Sequence, residues 1–173
     1  MNIQFWIDNA DSLIHQIFMI LMGFLAYIAS FLGTTYNVVN IFVYYLIVPA
    51  SWIYLISKKT TVWLNVLSII GSIAFFIIPD LRKNCDYLFQ KSVDFLNWLA
   101  IIFSSNYINM SIYICVLGIS IVYLILIPLT LPLKTAKRVG VIIAIFFSLY
   151  LLFIYPNFKE MFILIFQKKD IKY

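Results

Sequence analysis

Five predominantly apolar runs, at 13–32, 38–56, 62–78, 109–127 and 139–155, follow one another with only short polar breaks between them. A bilayer crossing needs about 20 such residues with few charges. Backbone inside hydrocarbon has no water to pair with, so runs of this kind must satisfy their own N–H and C=O groups as helices. The expected fold class is all-α: a polytopic membrane helical bundle forming a single integral membrane domain over residues 1–173. A soluble alternative fails on composition, because 64% of the chain is hydrophobic and only 11% charged. Such a chain cannot dress a globular surface. The runs use nearly the whole length and leave no room for a soluble catalytic or binding domain.

One stretch, 80–103, breaks the apolar monotony. Leu81, Cys85, Leu88, Ser92, Phe95, Leu99 and Ile102 recur at alternating spacings of four and three, which aligns them on one helical stripe. Arg82, Lys83, Asp86, Gln90 and Asp94 fall on the other side, with Asn97 extending that face. Pro79 ends the preceding run, and Asp80 stands where an N-cap carboxylate would meet free amides. The reading is an amphipathic helix lying in the membrane interface and offering a partner or interface surface. A crossing helix with Asp86, Gln90, Asp94 and Asn97 turned into a bundle is the competing reading.

Small residues mark packing faces. Gly23, Ala26, Ser30 and Gly33 share one side of the first run, and Gly140, Ala144 and Ser148 repeat at strict four-residue spacing in the fifth. Such faces let backbones approach closely where lipid removes the hydrophobic drive for association. The second run carries Asn40, Tyr44 and Ser51 on one side, with Pro49 predicting a kink. The third carries Asn65, Ser68 and Ser72, so the two runs are expected to share a polar seam. Asn109 or Ser111 is expected to cap the fourth run, which meets Pro128 and Pro132. Residues 156–173 form a basic tail. No internal repeat is visible.

The net charge of +5 does not indicate nucleic acid, because Lys and Arg stand in ones, twos and threes at the margins of the runs. That is where anionic headgroups are met. Trp6, Trp52, Trp63 and Trp98 lie near run ends, as interface belts require. The start of the chain has no basic n-region, so no cleavable signal is expected. With five crossings and an interfacial central helix, Arg82, Lys83, Lys91, Lys159, Lys168, Lys169 and Lys172 fall on one side. Lys58, Lys59, Lys134, Lys137 and Arg138 fall on the other. The larger set reads as cytoplasmic, with the N-terminus outside and the C-terminus inside an inner (plasma) membrane.

Chemistry is sparse. The only histidine, His15, forms an i,i+4 pair with Asp11 that stands as the one titrating candidate, Asp8 lying on the same side. The two cysteines form no CxxC pair. No phosphate-loop, dinucleotide, zinc-protease or nucleophile-elbow pattern is present. No catalytic or metal-binding residue and no cofactor is expected. The expected role is a non-catalytic subunit or scaffold of a membrane protein assembly, its partners being the lipid bilayer and other membrane proteins or further copies of itself. The alternative is a small channel, transporter or membrane-disrupting effector, with the polar seam or the central helix lining the path.

Overall fold

The structure, a computed structural model, describes residues 10, 12–77 and 79–167. These form seven helices and no strand: α1 (Leu13–Phe31), α2 (Tyr36–Ser57), α3 (Trp63–Ile77), α4 (Leu81–Ile102), α5 (Tyr107–Thr130), α6 (Leu133–Ile154) and α7 (Phe158–Gln167). By length and composition α1, α2, α5 and α6 can each cross a bilayer. The third expected crossing is shorter than the others. With 15 residues, α3 is roughly 22 Å long, against a hydrocarbon core of about 30 Å.

The chain divides into two compact units, one of Gly23–Leu133 and one of Met1–Met22 with Lys134–Tyr173. In the larger unit α1 and α2 pack on one another beside the turn that joins them. Leu25 and Ala29 of α1 pack on Val39, with Ile28, Tyr36, Val43 and Tyr44 around them. The hairpin turns on a Schellman motif at Gly33, whose φ of +66° requires the left-handed region that glycine enters without penalty. The amide of Thr34 donates to the carbonyl of Ala29 at 2.9 Å and that of Gly33 to Ser30 at 3.3 Å, which satisfies the free carbonyls of α1. Helix α3 then returns along α2, with Phe75 edge-on to Phe42 at 5.4 Å.

Pro49 is absorbed differently from a simple kink. Residues Phe42–Ile47 form a π-helical turn, in which the amide of Val48 reaches the carbonyl of Val43. The extra residue in that turn sets Pro49 in the first turn of a fresh α-segment from Val48. An amide is not needed there. Helix α5 contains a similar turn at Tyr113–Gly118 and continues through Pro128 to Thr130, beyond the expected end near 127. Its cap is Asn106, whose side chain accepts from the amide of Asn109 at 2.8 Å, rather than Asn109 or Ser111.

The start of α4 corrects a second cap. Asp80 adopts a left-handed conformation, with φ of 52°, and its side chain makes no capping bond. Asn84 instead reaches back, its Nδ2 donating to the carbonyl of Pro79 at 2.8 Å. Asp80 therefore leaves the free amides without a side-chain cap, and the polar side chain one turn on ties down the junction.

In the smaller unit Ala10, Met19 and Phe158 share a cluster with Ile154 at its edge. The beginning of α1 therefore lies beside α7. Lys168, Lys169 and Lys172 of the tail lie outside the described residues, as do Trp6 and Asp8.

Candidate functional site

Helix α2 is the hub of the larger unit, and its polar side chains fix its neighbours. Near its start Asn37 donates through Nδ2 to Asp86 Oδ1 of α4 at 2.8 Å. Tyr36 meets Phe89 edge-on at 5.9 Å. Farther along, the Tyr45 and Ser92 hydroxyls are 2.8 Å apart. Ser92 spends its single proton on the carbonyl of Leu88, so Tyr45 is the donor in that pair. Deeper still, Ser51 gives its proton to the carbonyl of Val48 and accepts from the Tyr123 hydroxyl of α5. The rings of Trp52 and Tyr123 meet at 6.2 Å.

These contacts correct the expected polar seam. Among the described residues no hydrogen bond joins Asn40, Tyr44 or Ser51 to Asn65, Ser68 or Ser72. Asn40 donates to Tyr36 within its own helix, and Ser72 donates to the carbonyl of Ser68. Tyr44 packs on the α1–α2 cluster. Asn65 and Ser68 are half-buried. Asn37, Tyr45 and Ser51 of α2 turn to α4 and α5, and Ser72 of α3 bonds within its own helix.

The central helix is rotated from its expected setting. Cys85, Leu96 and Ala100 are its buried residues, whereas Phe95 and Ile102 of the predicted apolar stripe are more than half exposed. The rotation carries Asp86 off the free polar face and into its bond with Asn37. Arg82, Lys83, Gln90 and Asp94 remain exposed. Gln90 donates to Asp94 at 3.1 Å, and Lys91 stands 3.8 Å from the same carboxylate. Loss of hydration at the buried Cys85 pushes its thiol above the ordinary 9.0, with the Asp86 charge adding to the effect.

The two small-residue faces differ. In α1 Gly23 and Ala26 are half-buried, but Ser30 and Gly33 are exposed, and Ala29 takes the packed position instead. In α6 Gly140, Ala144 and Ser148 are all exposed, and a methyl group placed on Gly140 would meet no atom within 4 Å.

At the start of α1, Ser12 accepts from the amide of His15 and also bonds its ring through Nδ1. Ser12 is thus the cap. Asp11, the proposed partner of His15, lies outside the described residues. Among the described residues no group of three potential ligands could hold a metal ion. Sequence reasoning missed Gln16, which is buried and donates to the carbonyl of Ala10 at 3.3 Å. Its Oε1 accepts from the Tyr150 hydroxyl at 2.9 Å. A lone glutamine inside an apolar run was the available signal, since an amide at that depth needs partners. No family model, curated protein or solved structure matches the chain.

Proposed function

We propose that this protein is a non-catalytic subunit or scaffold of a membrane protein assembly, seated in an inner or plasma membrane. The observation that carries this reading is the state of α6. Its apolar 22 residues include none that is buried, although Gly140, Ala144 and Ser148 form a regular small-residue face. Within the smaller unit that face, built for close backbone approach, is left exposed, which suits a helix of another chain. The exposed Arg82, Lys83, Gln90 and Asp94 of α4 give a second, polar surface to the same assembly.

The test is purification in mild detergent, with mass determination of the intact particle and identification of each component. The proposal expects a stoichiometric complex or a homo-oligomer. It also expects that Gly140→Leu with Ala144→Leu disperses the complex while leaving the chain folded. A monodisperse monomer in several mild detergents refutes it.

A further inference from the structure

Residue identity shows no repeat, yet the structure lays one out. The first α-segment of α2, Tyr36–Ile41, has its counterpart in Tyr107–Ile112 of α5, 71 residues later. At the same offset the π-turn Phe42–Ile47 is matched by Tyr113–Gly118, and the last residue of α1, Phe31, by the last of α4, Ile102. Gly33, left-handed at φ 66°, is matched by Ser104 at φ 47°. Ser104 makes the same two Schellman bonds, Ser105 to Ala100 at 2.8 Å and Ser104 to Ile101 at 3.2 Å.

Packing follows the same rule. Leu25, Ala29 and Val39 form the cluster of the first hairpin, with Ile28 and Tyr36 at its edge. Leu96, Ala100 and Met110 form that of the second, with Leu99 and Tyr107 at its edge. Each position is displaced by the same 71 residues, and so is the fully buried pair Ile41 and Ile112. Turn type, helix irregularity and buried positions all coincide, and independent helices have no physical reason to share them.

The two hairpins also face each other symmetrically. Trp52 touches Tyr123, its own counterpart. Tyr36 lies within electrostatic reach of Tyr107, its counterpart, and of Cys115, and Tyr44 within reach of Cys115, its counterpart. On an unbroken α-helix positions 36 and 52 would lie about 160° apart; the extra residue of the π-turn Phe42–Ile47 brings 36, 44 and 52 back towards one face of α2. Contacts between equivalent residues are the mark of a two-fold, self-complementary interface. Because the matched pairs run in register, α2 and α5 are parallel, and the two-fold axis runs along them.

We propose that the larger unit carries an internal duplication, two copies of one helix–turn–helix unit, α1–α2 and α4–α5, docked through α2 and α5 about this pseudo-two-fold axis. The docking surface on each copy is one designed to receive a second copy of the same unit. One consequence concerns α4. Helix α3 brings the chain back to the end where α2 begins, and α5 starts from that same end. Helix α4 therefore begins and ends on one face, and the symmetry asks the same of its counterpart α1. Its exposed strip of Tyr87, Lys91, Phe95, Trp98 and Ile102 lies along that face.

Two measurements test this on the full chain. Tyr44→Cys is paired with native Cys115, and Ser51→Cys with Tyr123→Cys. Both pairs are expected to form intrachain disulfides on mild oxidation in membranes, while Ser68→Cys fails to pair with Cys115. Separately, Asn84→Cys and Ser105→Cys are labelled by an impermeant maleimide, and both are expected to react from the same side, opposite to Lys59→Cys. For the labelling Cys115 is replaced by alanine, and native Cys85, which is buried, serves as the silent background. Absence of both disulfides, or crosslinking of Ser68→Cys equal to theirs, overturns the axis. Labelling of Asn84→Cys and Ser105→Cys from opposite sides overturns the parallel arrangement. These readouts use the single chain, so they stand or fall apart from the assembly proposal.

Discussion

The bond between Asn37 and Asp86 is the tie that holds α4 to α2, and its strength is open to measurement. The acceptor is a carboxylate and the distance 2.8 Å. Hydrogen bonds to charged groups contribute about 1.5–3 kcal/mol net. Both residues are half-buried, so water competes and the lower end, about 1.5 kcal/mol, applies. Asn37→Ala and Asp86→Ala are each expected to lower stability by about that amount or slightly more. The double variant is expected to cost about 1.5 kcal/mol less than the sum of the two, because the second change has no bond left to break. For a chain of this size 1 kcal/mol moves a thermal midpoint by roughly 2–4 °C, so each single change lowers it by about 3–6 °C. The assay is reversible unfolding in mixed micelles by added denaturing detergent, followed by tryptophan fluorescence, with Gln90→Ala as the exposed control. Additive costs, to within about 0.5 kcal/mol, would show that the two side chains do not act on one another and that α4 is held by its apolar contacts alone.

Other outcomes follow from the geometry. Ser104→Val forces a β-branched residue into the left-handed region and is expected to cost about 1–3 kcal/mol, whereas Ser104→Gly leaves the unfolding midpoint unchanged or higher. Gln16→Leu removes the acceptor of Tyr150 and is expected to lower stability by about 1 kcal/mol, interhelical bonds in bilayers averaging about 0.6, with faster proteolysis near Phe158. The Cys85 thiol, pushed above its ordinary 9.0 by burial and then by Asp86, is expected to react slowly with maleimide at pH 8 until the fold is opened. Its raised folded-state value makes its contribution to stability constant below pH 9 and lost as pH rises through that folded value, so Cys85→Ala should flatten the alkaline end of the stability profile.

The sequence carried the helices but little of their company. Runs of apolar residues announce helices because hydrocarbon permits little else, and the boundaries of α1 and α2 are read within two residues. Partner choice was not legible, because an Asn or Ser on an apolar helix says only that it needs a partner. Asn40 found one four residues away in its own helix, and Ser51 found one 72 residues away. The rotation of α4 was hidden for a related reason. Its stripe from Leu81 to Ile102 is apolar enough for either a protein or a lipid neighbour, and only Asp86 meeting Asn37 decides between the settings. The duplication escaped because its copies share backbone geometry more than residue types. A left-handed turn accepts Gly33 or Ser104, and a cluster accepts Val39 or Met110.

The parallel pairing of α2 and α5 also bears on how the chain is made. Ser51 and Tyr123 are separated by 72 residues, and a ribosome adds about 5–20 residues per second. Helix α2 therefore stands in the membrane for roughly 4–14 s before its partner exists. Asn37 and Tyr45 wait for α4, 49 and 47 residues on, or roughly 2–10 s, while Ser51 waits the full interval for α5. The α1–α2 hairpin, with its own cluster and turn, is the piece able to wait, and the second hairpin arrives to a finished template of its own shape.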